Sequence, residues 1–244
     1  MIFHIPHSST LLPNQYRDQF VVDQEEIDRE LLRMTDHFTD ELFDMPDVPK
    51  VVFPISRLLV DAERFDDDSQ ESMAKIGMGV IYENGSELQR IKKAPSTELR
   101  EELLDKYYWP HHQRLTELVQ KELVEQGKAL VIDCHSYCEV AFPYELHQSA
   151  QRPDICLGAD DFHTSPSLVE EAREYFESCA YSVAVNEPFT GCLIPMEFYG
   201  KEKRVQGLMI EINRKLYMDE TTGKKHEGFG KLKRDLEQFL ETLH

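Results

Sequence analysis

No stretch of this 244-residue chain approaches the roughly 20 consecutive apolar residues that cross a bilayer. The N-terminus also lacks the basic-then-apolar layout of a signal peptide. A cytoplasmic protein without a membrane partner is the expectation. Basic residues are scarce, with 27 Lys and Arg against 46 Asp and Glu and a formal charge of −19. A surface of that sign repels phosphate backbones and anionic lipid, which argues against nucleic acid as a partner. The five cysteines are odd in number and irregular in spacing, so no disulfide framework is expected. Cys134-x-x-x-Cys138 has no second Cys pair or close His pair to complete a structural zinc site, and the thiols read as buried and inert. No internal repeat, no low-complexity tract and no G-x-S-x-G elbow of a serine hydrolase is present.

What is present is 41% hydrophobic and 30% charged residues, an ordinary globular balance in a chain long enough for one domain over residues 1–244. Apolar runs of strand length recur at "IFHIP" (2–6), "KVVFPIS" (50–56), "ALVIDC" (129–134), "YSVAV" (181–185) and "GLMIEI" (207–212). Helical spacing of Ile27, Leu31, Met34, Phe38 and Leu42 predicts a helix over about 25–44. A long helical segment should run from Pro95-Ser96-Thr97 to Gly127, divided or kinked at Pro110, with further helices near 166–178 and 228–243. Strands alternating with helices predict an α/β fold with a mixed, mainly parallel central sheet flanked by helices. Two stretches, 61–95 and 136–166, read as long loops, and loops of that length in a compact domain are functional or disordered.

Reactive residue types collect where the apolar runs end. The first run ends at His7, the second leads through Arg57 to Asp61 and Arg64, the third ends at Asp133 and His135, and the fifth contains Glu211 followed by Arg214. In an open α/β sheet such strand ends form the ligand-binding rim. Two histidines from separate strands point to a catalytic zinc site, which also needs a carboxylate and an open position for water. Asp36, Asp61 and Asp133 are the carboxylate candidates. Asp133, embedded in a strand, suits a supporting hydrogen bond to a His ligand. Glu211 in an apolar strand should have a raised pKa and suits general acid/base work. Arg57 and Arg64, flanking Asp61, offer guanidinium forks for a substrate carboxylate.

Taken in order, "IPHSST", "MTDHFTDELF", "SRLLVDAERF", "YYWPHHQRL", "ALVIDCHS", "RPDICLGADD", "LIPMEFYG" and "GLMIEINRKLYMDE" resemble the N-formylglutamate amidohydrolase family. That family consists of zinc hydrolases with a fold similar to zinc carboxypeptidases and aspartoacylases. The resemblance implies His7, Asp36 and His135 as ligands of Zn2+ and Glu211 as the catalytic glutamate. It implies Arg57 and Arg64 as substrate-carboxylate arginines, Arg64 also serving the reaction, and places His112 in the substrate pocket; Arg214 is grouped with these binding residues. The substrate it implies is a small N-acyl amino acid, N-formyl-L-glutamate or a related acidic one. A carboxypeptidase-like or deacylase activity on another N-acyl or peptide substrate is the alternative, and a non-catalytic metabolite-binding relative a more distant one. Two departures bear on the substrate: Glu63 stands where the family has Asn, and Pro195, Met196 and Glu197 stand where close relatives carry an Arg. The sequence does not indicate an oligomeric state.

Overall fold

A computed structural model describes residues 1–243. The opening apolar run forms β1 (Ile2–Ile5), buried along its length. Asp23 caps the next helix by accepting the Glu26 amide, and α1 (Gln24–Met34) follows with Glu25 and Glu26 in the turn where the helix dipole favours acid. The helix expected over about 25–44 does not run through. It stops at Met34, Phe38 takes a left-handed conformation with φ 65°, and a single turn, α2 (Thr39–Leu42), follows. The apolar spacing continues across the break because both pieces face the interior, and side-chain period does not register a change of backbone direction. The break positions Asp36, whose amide donates to the His7 carbonyl at 2.9 Å at the end of β1.

After β2 (Lys50–Val52) the chain reaches α3 (Thr97–Leu103), which passes through a π-helical turn over Leu104–Tyr108 into α4 (Trp109–Gln126). Pro110 lies in the first turn of α4, so the widened turn before it takes up the hydrogen bond that proline cannot make. Gly127, at φ 74°, ends α4 by donating its amide to Leu123 O. There follow β3 (Ala129–Tyr137), β4 (Ile155–Gly158), α5 (Pro166–Ser178), β5 (Val183–Val185), β6 (Val205–Asn213), a small hairpin of β7 (Met218–Asp219) and β8 (Lys224–Lys225), and α6 (Gly228–Thr242). β4 lies inside the stretch expected as a loop, because its four residues are too few to show a period.

The sheet has six strands in the order β2-β1-β3-β6-β4-β5. β2, β1, β3 and β6 are parallel, β4 runs antiparallel to β6, and β5 parallel to β4. This is the mixed, mainly parallel α/β sheet that the alternation of elements predicts. One face packs Phe3, Ile5, Ile132 and Leu208 against Phe176 of α5 and Leu236 of α6. The other packs Ile2, Val131 and Val205 against Leu115 and Val119 of α4. No described helix is long and apolar enough to cross a membrane. The parallel strands carry the residues after β1 and β2 and the C-terminal ends of β3 and β6 to one rim.

One core residue is costly. Lys92 is 1% exposed, donates to Leu59 O at 3.3 Å and lies beside the Phe20 ring. Burial lowers its pKa from the ordinary 10.5 to about 7. Between those values the unfolded chain holds a proton that the folded chain has released, so stability rises with pH across the window and the full penalty applies below it. Lys92→Met is expected to stabilise the fold at pH 6 by roughly 2–4 kcal/mol, seen as several degrees in Tm. The gain should shrink towards zero by pH 10, and thermal melts showing the same gain at both pH values would refute this account.

Candidate active site

β3 and β6 are neighbours in a register that pairs His135 with Glu211, and β1 pairs with β3 so that His4 stands beside Asp133. His7 follows β1 directly, its ring centroid 5.2 Å from that of His135. Asp61 meets His7 from the β2 side, its Oδ1 lying 2.8 Å from His7 Nε2. Four of the expected residues, His7, Asp36, His135 and Glu211, therefore share one cavity with Arg57, Arg64 and Arg214.

Hydrogen-bond accounting assigns the tautomers. A carboxylate only accepts, so His7 Nε2 donates to Asp61 and leaves His7 Nδ1 bare. That nitrogen is buried and has no hydrogen-bond partner, with Asp36 Oδ2 at 3.7 Å and Glu63 Oε2 at 3.8 Å. Asp133 Oδ1 accepts from His4 Nδ1 at 2.7 Å and from His135 Nε2 at 3.1 Å, and Asp133 Oδ2 from the Leu193 amide at 2.8 Å. His135 Nδ1 then faces Asp36 Oδ2 at 3.1 Å. His4 Nε2, bare by the same logic, accepts from His111 Nε2 at 2.9 Å, which extends the chain of contacts to α4.

Two imidazole nitrogens pointing at carboxylates call for positive charge between them. Burial and the Arg57 charge oppose a proton on His7, yet Asp61 and Asp36 raise its pKa. Burial also opposes charge on His135, while Glu63 and Asp133 hold it well above the usual imidazole range. Asp36 is likewise held well below the usual carboxylate range, against its burial, by His135, His7 and Arg214. A divalent ion meets the same demand. His7 Nδ1 and His135 Nδ1 lie 3.7 and 3.1 Å from Asp36 Oδ2, and His7, Glu63 and His135 bring ligand atoms within 4.8 Å of one another, so two histidines with either carboxylate make a donor set that suits zinc. Glu63 is a second carboxylate within reach of both histidines, and it also groups with His4 and Asp133.

The three arginines divide the work. Arg214, 3% exposed, directs its donors to Asp36 Oδ1, to Oγ and O of Ser136, to Arg33 O and to Cys138 Sγ. All five N–H directions of a guanidinium are thereby engaged, so Arg214 orients Asp36 and has no donor left for the substrate carboxylate expected of it. Arg57 donates to Asp61 Oδ2 at 2.8 Å and to the Tyr82 hydroxyl while still lining the cavity. Arg64 makes no guanidinium hydrogen bond among the described residues, and Asp61 lies 3.8 Å from its Nε. Its backbone is clamped instead: Tyr108 donates to Arg64 O at 2.9 Å and His112 to Ala62 O at 2.8 Å. Glu211 lies opposite, its Oε2 buried without a partner, and burial raises its pKa to about 8.

Two chambers meet at this point. One of about 410 Å³ contains His7, Asp36, His135 and Glu211. The other, about 440 Å³, opens beyond a partition of Glu63, Arg64, Thr190 and Met209 that lines both. His112 lines this second chamber, as expected of a pocket residue. Gly158 keeps the partition close to the sheet, since a Cβ there would meet Gly191 O at 2.2 Å.

In the sequence Glu63 stands out only as a departure bearing on the substrate, and His4 and His111 do not stand out as site residues. The available signal for Glu63 was a carboxylate two residues beyond a strand-end Asp; for His4 it was the strict alternation of β1, which turns His4 and Ile2 to the face opposite Phe3 and Ile5.

Comparison with known proteins agrees with the geometry. A sequence model of the family N-formylglutamate amidohydrolase matches residues 1–218. An N-formylglutamate deformylase of Pseudomonas putida is 26% identical over 229 residues, 91% of this chain and 82% of that protein. A second, from Pseudomonas aeruginosa, is 29% identical over 170 residues, 68% of this chain and 62% of its own. The crystal structure of N-formylglutamate amidohydrolase from Ralstonia eutropha JMP134 superposes with a TM-score of 0.87 at 27% identity, covering 99% of this chain and 91% of that one. An Agrobacterium tumefaciens protein at 17% identity and a TM-score of 0.69, covering 99% of this chain and 90% of that one, shares the fold. With strand ends, site and sequence in agreement, the chain belongs to the N-formylglutamate amidohydrolase family, hydrolases of an amide bond.

Proposed function

We propose that this protein is a zinc-dependent amidohydrolase that removes the acyl group, formyl in the relatives' names, from N-acyl amino acids. The observation that carries the metal dependence is the buried, unpartnered His7 Nδ1 facing Asp36, with its other nitrogen tied to Asp61. His7 Nδ1, His135 Nδ1 and Asp36 Oδ2 would hold the ion; Asp36 is preferred to Glu63 because Arg214 fixes its free oxygen and it is the more buried of the two. Bound there, zinc makes water acidic near neutral pH and polarises an amide carbonyl.

The chain's own groups do the remaining work. With a divalent charge in the same cavity to offset its burial and hold it ionised, Glu211 would accept a proton from the attacking water and return it to the departing amine nitrogen, so that amide and water yield a carboxylic acid and a free amino acid. Arg57, held by Asp61 and Tyr82, presents positive charge to the oxyanion that develops as the carbonyl is attacked. Arg64 pairs with the α-carboxylate of the substrate, the one cation at the partition whose donors are free. Asp133 and Asp61 keep the two histidines in the tautomer that leaves Nδ1 bare.

The direct test is metal content and hydrolysis of N-formyl amino acids before and after chelation. We expect about one zinc per chain, loss of turnover on its removal and recovery on its return. Undiminished hydrolysis by metal-free protein would overturn the reading.

A further inference from the structure

We propose that the second chamber receives the side chain of the amino acid and selects a bulky uncharged one, of the leucine, methionine or phenylalanine type, over glutamate. The proposal rests on the reading above that the substrate is an N-acyl amino acid, and departs from the acidic side chain that the family resemblance implies.

Of the arginines at the site, Arg214 is fully engaged under Asp36 and Arg57 is paired with Asp61 and Tyr82. Arg57 keeps its Nη1 free but lines only the first chamber; Arg64 is the one arginine that lines the second, its guanidinium makes no hydrogen bond among the described residues, and one guanidinium holds one carboxylate. Every N-acyl amino acid brings an α-carboxylate to fill that place. A glutamate side chain brings another, and among the described residues the second chamber has no other arginine or lysine on its walls. His112 does not substitute: it donates Nε2 to Ala62 O, and burial lowers its pKa to about 4, so it is neutral at physiological pH.

Asp160 and Asp133 line the chamber. Asp160 accepts from the amides of Phe162 and His163 and from the Tyr199 hydroxyl, and Asp133 from His4, His135 and Leu193. A further carboxylate beside them is repelled. Three of the roughly four acceptor positions of each are already filled, so a lysine ammonium gains little in exchange for its hydration.

Phe65, Met196 and Tyr199 line the chamber and are 46%, 65% and 46% exposed, with Tyr108, Ile194 and Met209 deeper. An apolar side chain entering between them removes that surface from water. Met196, the most exposed of them, stands in the turn that follows Pro195.

Rates of the zinc-loaded enzyme on N-formyl-L-leucine, -methionine, -phenylalanine, -glutamate and -lysine test this. The apolar members are expected to exceed the glutamate derivative at least tenfold in kcat/KM. A glutamate or lysine derivative turned over as fast as the best apolar one overturns the side-chain assignment while leaving the amidohydrolase reading intact. Hydrolysis of none of the five overturns that reading, and the assignment with it. Met196→Arg is expected to raise kcat/KM on N-formyl-L-glutamate and to lower it on N-formyl-L-leucine; a variant that changes neither removes Met196 from the side-chain pocket and overturns the placement.

Discussion

Glu211→Gln is expected to lower kcat by roughly 10³-fold while leaving zinc content unchanged. The amide keeps the shape of the carboxylate but can no longer take a proton from water and pass it to the leaving nitrogen. The same substitution has a second, independent reading in metal-free protein. Burial raises the Glu211 pKa from 4.5 to about 8, so the folded chain holds a proton there that the unfolded chain releases from about pH 4.5 upwards. Stability is therefore lost as pH rises through that window, and the loss is complete above about 8. A neutral amide removes the loss: Glu211→Gln should melt close to the parent at pH 4.5 and later than the parent at pH 8.5, by an amount on the order of a few kcal/mol. Activity retained at the parent level would place the base elsewhere. A Tm difference independent of pH would show that the buried carboxyl does not carry this penalty.

Replacing either histidine at the rim is the second large effect. His7→Ala and His135→Ala are expected to fall from about one zinc per chain to a small fraction of that, with loss of hydrolysis, as measured by elemental analysis after gel filtration. Asp61→Asn leaves all ligands in place but weakens the hold on the His7 tautomer, and should cost roughly 10–100-fold in zinc affinity in competition with a chromophoric chelator. Full zinc content in His7→Ala would remove that residue from the ligand set. Comparing Asp36→Asn with Glu63→Gln decides between the two carboxylates. Asp36→Asn also leaves Arg214 without its buried counter-charge, so its melting temperature belongs beside its metal content. Loss of metal in the Glu63 variant alone would assign that role to Glu63.

Much of this arrangement could be read from residue order, for a physical reason. A parallel sheet brings the residues that follow its strands to one edge, so His7, Asp61, His135 and Glu211 had to converge once β1, β2, β3 and β6 were recognised. What could not be read is direction within a few residues. The apolar period ran straight from Ile27 to Leu42 and hid the break at Phe38 that delivers Asp36 to His7. Arg214 follows a catalytic strand and looks like a substrate anchor, but its long side chain turns back beneath Asp36. β4 was hidden by its length, and Glu63 by the fact that a carboxylate's reach depends on a loop whose path the sequence does not encode locally.

The π-helical turn before α4 bears on what this helix can tolerate. An α-helix advances by 100° per residue, and the widened turn over Leu104–Tyr108 accommodates one extra residue without restarting the helix. It therefore acts as a phase adjustment, setting His111 against His4 beneath the sheet and its neighbour His112 against Ala62 at the chamber. Deleting one residue there would return the segment to plain α-helix and rotate these two histidines relative to α3, exchanging a buried contact for a solvent-facing one. Exposed side chains such as Asp105 and Lys106 are free to vary in kind. The number of residues between Leu103 and His111 is not.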